Sequence, residues 1–194
     1  MSAYVAMLRS INVGGRNRVA MADLEDLVAS LGFSRVTTYL QSGNVVCTGS
    51  GSPAATARRL QQAIATQLGL DIPVIVRTRP QLTGVVEGSP YAEPGVDPTT
   101  LHVTFLATSP APERGRRLAG EAEAAASDGT FGADRFELVG DAVYVHCPGG
   151  YGQTKLNNAF FERRLGVTAT TRNWRTVTTL ADLAAESARR RPSG

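Results

Sequence analysis

The order of predicted secondary-structure elements repeats once along this chain, and the repeat limits the fold more than any single motif does. The same order, β-α-β-β-α-β-α, can be read from apolar periodicity and turn residues on both sides of residues 88–99. The first six elements of that order are those of the ferredoxin-like plait. The sequence therefore predicts an α+β fold: a duplicated ferredoxin-like plait with two β-α-β-β-α-β-α halves.

The predicted boundaries follow from composition and periodicity. Residues 88–99 contain three prolines and two glycines, which is typical of a linker. We predict a first half at 1–88, a linker at 89–99, a second half at 100–188 and a flexible basic tail at 189–194. Strands are expected at 4–9, 36–40, 45–48, 72–77, 101–107, 135–139, 143–147 and 167–171. Helices are expected at 21–31, 53–68, 80–87, 112–126, 154–165 and 174–188.

Composition favours an ordinary globular protein, with 42% hydrophobic and 19% charged residues. No apolar run approaches the roughly 18 residues that span a bilayer, and the N-terminus lacks the pattern of a signal peptide. Cys47 and Cys147, with His102 and His146, have no zinc-site spacing. We expect a cytoplasmic protein with no membrane association, no metal and no cofactor.

The first candidate binding segment follows the first predicted strand. Gly14 and Gly15 allow backbone amides to turn towards an anion, while Arg16 and Arg18 add forked positive donors. Asn12 opens the segment. The glycine spacing matches neither nucleotide-binding fingerprint, and a turn with solvated arginines explains it equally well.

The second candidate segment is the hairpin turn that joins the second and third strands. Gln41, Ser42 and Asn44 offer uncharged donors and acceptors around the turn glycine. In a plait, strands 1 and 2 are parallel with strand 3 antiparallel between them. We therefore expect this turn to lie beside residues 12–18, although a hairpin turn needs no function.

The third candidate is Lys155, the only lysine among 20 basic residues. A glycine-rich run precedes it, and Thr154 resembles a helix N-cap, so the prediction places Lys155 in a first helical turn. Such a lysine can hold an anion or act chemically. It can equally be an exposed residue without a role.

The fourth candidate joins Arg172, Asn173 and the only tryptophan, Trp174. A tryptophan between arginines can stack on a base and grip phosphate. Anchoring of the last helix is the alternative for Trp174. His102 and His146 fall within strands, so no serine-hydrolase arrangement can be built.

These segments together resemble a known family. Residues 8–15, 39–45, 155–158 and 170–177 are similar to motifs of the bacterial family called domain of unknown function 1697. Family members typically have glycine where this chain has Ser10, and a basic residue and serine where it has Gln153 and Thr154. The resemblance implies a duplicated plait and carries no established activity.

Three function classes remain open at this stage. The leading hypothesis is binding of a small anionic ligand, phosphate-like or nucleotide-like, at the polar loops of the first half. A nucleic-acid-binding module is the second, supported by a pI of about 9.2 but not by exposed strand aromatics. The third is a structural or oligomeric interaction protein. The sequence assigns neither a reaction nor an oligomeric state.

Overall fold

The computed structural model describes residues 1–189 of the chain. These residues form two compact units, one of residues 1–84 with the segment that begins at Thr179, and one of Val85–Thr178. The predicted boundaries between the first half, the linker and the second half, after residues 88 and 99, remain a prediction. Of the predicted basic tail, residues 190–194 lie outside the described residues.

The observed elements follow the predicted order. The strands are β1 (Ser2–Leu8), β2 (Ser34–Tyr39), β3 (Asn44–Gly49), β4 (Val74–Thr78), β5 (Leu101–Leu106), β6 (Arg135–Val139), β7 (Ala142–His146) and β8 (Ala169–Asn173). The α-helices are α1 (Met21–Ser30), α2 (Pro53–Leu68), α3 (Arg79–Glu87), α4 (Pro112–Asp128), α5 (Asn158–Leu165) and α6 (Trp174–Arg189).

Each unit contains one four-stranded antiparallel sheet. The strand order is β2-β3-β1-β4 in the first unit and β6-β7-β5-β8 in the second. The third strand of each half thus lies between the first and second, as the plait order requires. The predicted α+β fold with two similar halves is confirmed.

The core of the first unit lies between its sheet and the helices α1 and α2. Alternate residues of β1 point into it, including Tyr4 and Leu8, and meet Leu24 of α1 and Leu60 of α2. The other face of β1 is also buried. This interior strand is buried on both faces from Ala3 to Leu8, which is why its apolar run indicated a buried strand.

The core of the second unit is aromatic. The rings of Phe131, Phe136, Phe160 and Phe161 meet edge to face, with centroid separations of 5.1–6.0 Å. Such pairs stabilise a core beyond their buried area. In the described part of the chain, no helix is both long and apolar enough to cross a membrane.

The largest error in a predicted helix boundary is the start of the fifth helix. The helix expected from residue 154 is α5 and begins at Asn158, with Asn157 as its N-cap accepting from the Phe160 amide at 3.1 Å. Thr154 instead accepts a hydrogen bond from the Leu156 amide. Lys155 consequently lies in the loop before the helix and not in its first turn.

Candidate anion-binding site

The topology of the first unit brings two loops to one end of its sheet. The Leu8 amide at the end of β1 donates to the Gly43 carbonyl at 2.8 Å, which places the β2–β3 turn beside the β1–α1 loop. Residues 10–18 and 40–43, called the loop cluster below, therefore lie side by side, as the plait order predicted.

The tip of the first loop is a tight two-residue turn. The Arg16 amide donates to the Val13 carbonyl at 3.1 Å, and the intervening Gly14 and Gly15 have φ values of 59° and 75°. Positive φ at both central positions is typical of a type I′ turn, which favours glycine at both. In the described residues the two glycine amides donate to no acceptor. They therefore stay open to a ligand.

Asn12 fixes the base of this loop. Its Oδ1 accepts from the Val19 amide at 2.9 Å, while its Nδ2 donates to the Val19 carbonyl at 3.0 Å and the Gln41 carbonyl at 2.9 Å. One carboxamide thus joins both ends of the loop to the neighbouring turn. These bonds use most of its hydrogen-bonding capacity, so Asn12 positions the loop rather than presenting free donors.

Two predicted site residues of this loop, Arg16 and Arg18, are exposed. Neither side chain forms an ion pair or hydrogen bond with the described part of the chain. One Arg18 nitrogen lies 3.9 Å from the position that a Gly15 Cβ would occupy, so its guanidinium lies over the turn. Residues 10–22 contain no acidic residue, so no carboxylate close to them in the sequence neutralises Arg16 or Arg18.

The β2–β3 turn supplies polar groups and a fixed backbone. Gln41 and Ser42 are exposed, whereas Asn44 is fully buried and donates to the Tyr39 carbonyl at 2.8 Å and to Ser42 Oγ at 3.1 Å. Asn44 therefore holds the turn in place. Gln41 and Ser42 are the members of this group that a ligand can reach.

The backbone of the loop cluster is conformationally unusual. Among the described residues, four of the five non-glycine residues with positive φ lie within it: Ser10, Asn12, Asn17 and Leu40. Left-handed backbone is rare for non-glycine residues and persists where the surrounding contacts enforce it. The family resemblance places glycine at position 10, which fits the φ of 56° at Ser10.

The remaining predicted residues belong to the second unit. Lys155 is exposed and its side chain has no bonded partner among residues 1–189. Asn173 Oδ1 accepts from the Thr176 amide at 2.8 Å, so Asn173 caps α6. Trp174 is half-buried at the first position of that helix, an arrangement that suits helix anchoring.

Arg172 lies inside the second unit. Its guanidinium donates to Thr170 Oγ1 and to the Thr171 carbonyl, each at 2.9 Å, and only 6% of the residue is exposed. Burial lowers the pKa of Arg172 to about 10. These contacts point to a structural role for this arginine.

The two cysteines and His102 have surroundings that suit structural roles. Burial raises the pKa of the Cys47 thiol to about 12 and that of Cys147 to about 11, so both are protonated at neutral pH. The His102 ring stacks on Tyr151 with centroids 4.3 Å apart. Within residues 1–189, no group of three or more His, Cys, Asp or Glu residues could hold a metal ion.

Two features of the first unit were missed from the sequence. Arg35 has a φ of 53° at an irregularity of β2 and donates to the Ser187 carbonyl. No pattern in the sequence marks an arginine for left-handed backbone. The second feature could have been found in the sequence: residues 27–70 contain no acidic residue.

Fold and site together define an α+β protein of two similar four-stranded halves, with an arginine-bearing loop cluster on the first. The chain matches the family described as "Protein of unknown function (DUF1697)" over residues 1–144 and belongs to that family. A comparison with curated proteins found no match.

A solved structure supports the fold assignment. The chain is similar to the conserved bacterial protein SP0830 from Streptococcus pneumoniae, with a TM-score of 0.67 and 20% sequence identity. The similarity covers 94% of this chain and 98% of that one. At this identity the likeness shows a shared fold alone.

Proposed function

We propose that this protein binds a small anionic ligand, phosphate-like or nucleotide-like, at the loop cluster of its first unit. The observation that carries the proposal is the pair Arg16 and Arg18, both exposed and without an ionic partner in the described residues. The nearest acidic residue along the chain from this loop is Asp23 in α1. A bound anion would supply the missing counter-charge.

The frame around the two arginines favours binding because it is already ordered. Asn12 ties the loop to the β2–β3 turn, and the two-residue turn at Gly14 and Gly15 fixes the tip. Ordering a loop on binding costs free energy, and a preformed loop avoids most of that cost.

The donor types favour phosphate over other anions. A guanidinium presents parallel N–H groups that match two phosphate oxygens, and free backbone amides add further donors. Arg16 and Arg18 supply the guanidinium groups, and Gly14 and Gly15 supply the amides. Gln41 and Ser42 would contact the uncharged part of the ligand. We propose the cytoplasm as the location, since the two free thiols are buried and unpaired.

Nucleic-acid binding is the alternative, and the charge of the first half supports it. Residues 1–84 contain eight arginines and four acidic residues. However, the sheet face turned away from α1 and α2 carries buried apolar residues such as Val5, Val46 and Ile75. RNA-recognition plaits present exposed aromatic residues on that face. We therefore favour binding of a small anionic ligand over nucleic-acid binding.

Thermal unfolding at low salt tests the proposal. The panel contains nucleotides, sugar phosphates and short oligonucleotides. A ligand at about 100 times its Kd adds about 2.7 kcal/mol of stability, enough to raise Tm by several degrees. We expect the rise with a small phosphate compound and its loss in the double variant Arg16→Ala/Arg18→Ala.

The matched control removes the same charge elsewhere on the first half. Arg58 in α2 and Arg79 in α3 are exposed, so Arg58→Ala/Arg79→Ala should keep the ligand response. A rise in Tm that survives Arg16→Ala/Arg18→Ala would refute the site. Stabilisation by oligonucleotides alone would favour the nucleic-acid alternative, and no response to any compound would favour a protein partner.

A further inference from the structure

A cavity lies within the first unit, lined by none of the residues of the loop cluster. It has a volume of about 350 Å³ and lies between strands β2 and β3 and the last turns of α6. Its lining combines charged, hydroxyl and apolar side chains: Arg35, Thr37, Val46, Leu183, Glu186 and Ser187. This volume is at the lower end of the range for small-molecule sites, which pair an apolar surface with a few placed polar groups.

An irregularity in β2 places Arg35 in the lining of this cavity. The pairing of β2 with β3 shifts register between Ser34 and Thr37, and Arg35 in between has a φ of 53°. Bulges redirect side chains and occur next to binding sites. The guanidinium donates to the Ser187 carbonyl at 2.5 Å. Within residues 1–189 that is its one hydrogen bond, so most of its five N–H donors are available.

Ser187 adds an unused polar group to the same place. Its hydroxyl oxygen is buried and has no hydrogen-bond partner among the described residues. Buried hydroxyl groups in proteins are nearly always bonded, and each exception calls for an explanation. Rotation of the Ser187 hydroxyl towards the cavity that its residue lines would let a ligand acceptor complete its bonding.

We propose that this cavity binds a small aliphatic amino acid. The carboxylate would take the free guanidinium N–H groups of Arg35 and the hydroxyl of Ser187. The ammonium group would face the carboxylate of Glu186, and the aliphatic side chain would pack on Val46 and Leu183. The complementary charges of Arg35 and Glu186 on one cavity match a zwitterion better than a simple anion. This site is independent of the phosphate-like ligand proposed for the loop cluster.

Titration calorimetry of the full chain with glycine, alanine, valine and leucine tests the proposal. Each is paired with the matching carboxylic acid that lacks the amino group. We expect saturable binding of at least one aliphatic amino acid, and at least about tenfold weaker binding of its partner without the amine. Equal binding of the two, or no binding of any amino acid at millimolar concentration, would overturn the assignment.

Two variants locate the site without depending on a fragile fold. Arg35→Gly removes the guanidinium, and glycine accepts the positive φ at this position, so the fold should persist. Thr37 is exposed on the edge strand β2, and Thr37→Trp fills the cavity from its rim. Both variants should lose amino-acid binding, whereas Arg58→Ala should keep it. Binding that survives both Arg35→Gly and Thr37→Trp would place the ligand elsewhere and refute the proposal.

Discussion

The two units repeat one order of elements but differ in their connections. In the first unit the connection from β1 to α1 runs from residue 9 to 20, whereas the equivalent connection from β5 to α4 is residues 107–111. The connection from β3 to α2 is residues 50–52, and its equivalent from β7 to α5 is residues 147–157. The long loop is therefore a different one in each unit. In the first unit it follows β1, and in the second it follows β7, which lies at the opposite end of the equivalent sheet.

The extended connections carry the exposed cationic residues among the candidates for anion binding. Arg16 and Arg18 lie on the first unit's long loop, and Lys155 lies on the second unit's long loop. Loops on a rigid scaffold commonly carry function because the scaffold positions them at no further cost. The contrast teaches that the repeated elements explain the fold, and that the loops that differ between the units are where an anionic ligand should be sought.

A buried arginine belongs to the part that both units share. Arg77 pairs with Val5 across the strands β4 and β1, and Arg172 pairs with Val103 across β8 and β5. Each guanidinium also donates to the carbonyl of the residue before it. The recurrence of one arrangement in two units supports a scaffold role for Arg172 rather than ligand contact.

The two units also differ in charge. Residues 1–84 and 179–189 of the first unit have nine basic and six acidic residues, whereas residues 85–178 have nine basic and eleven acidic residues. A local excess of positive charge raises the concentration of anions near a surface. The first half is thus the one suited to an anionic ligand.

Exchange of the turn glycines should show the largest difference between the units. In Gly43→Ala the new Cβ would overlap Ile11 at a φ of 77°, whereas Gly140 in the other hairpin has a φ of 61° and open space around it. We expect a loss of about 2–5 kcal/mol for Gly43→Ala from left-handed strain and overpacking together. Gly140→Ala should cost about 1–2 kcal/mol.

Urea unfolding midpoints at equal m-values measure both losses. Equal losses for the two substitutions would mean that Ile11 does not restrict the first turn. The contrast between the two hairpins would then rest on backbone conformation alone.

Removal of the loop clamp should have the next largest effect. Asn12→Gly deletes the bonds to Val19 and Gln41 while tolerating the φ of 54° at this position. We expect a loss of about 1–3 kcal/mol together with loss of the phosphate response. The second unit's short connection has no such clamp in the described residues. Hydrogen exchange should therefore rise at the amides of Val19, which loses its acceptor Asn12 Oδ1, and of Arg16, and stay unchanged at residues 107–111. Unchanged exchange at Val19 and Arg16 would contradict the clamp.

The smallest expected effect is a pH dependence specific to the second unit. Burial lowers the pKa of His102 below that of a solvated imidazole, which is about 6.5. Below that pH the unfolded chain binds more protons than the folded one, so stability falls as pH falls, by at most about 1.4 kcal/mol per pH unit. The equivalent position in the first unit is Tyr4, because the next residues, Val5 and Val103, pair with the matching arginines Arg77 and Arg172.

Chemical unfolding between pH 5 and pH 7 compares wild type with His102→Tyr and His102→Gln. Both variants should show a shallower loss of stability on acidification. The variant His146→Gln serves as the control, because it removes the other histidine and leaves the His102 stack on Tyr151. If the free energy of unfolding falls with pH as steeply in both His102 variants as in the wild type, this histidine does not contribute to the pH dependence.

Much of the fold was predictable because turn residues and apolar periodicity indicated the same element boundaries. The predicted bounds of α2 and β6 are those observed, since Pro53 and Gly69 bracket the helix and the turn at Gly140 ends the strand. The start of α5 was not predictable, because Thr154 and Asn157 are both good N-caps. Burial of Leu156 decides between them, and burial depends on the tertiary fold.

The candidate site was predictable only in part. Topology alone placed the loop of Arg16 beside the turn of Gln41, and the Asn12 bond to Gln41 bears out that adjacency. Sequence patterns could not separate residues that fix the loop from residues that face solvent. Asn12, Asn44 and Arg172 resemble ligand contacts in the sequence, and their roles emerge only from their hydrogen bonds and burial.

The most direct test of the central claim is an NMR titration of the isotope-labelled protein with AMP and with inorganic phosphate. It follows the amide signals of Gly14 and Gly15. We expect saturable shifts of these two amides in the wild type and in Arg58→Ala/Arg79→Ala, and none in Arg16→Ala/Arg18→Ala. Saturable shifts confined to other residues, or shifts at Gly14 and Gly15 that persist without both arginines, would contradict an anion site at the loop cluster.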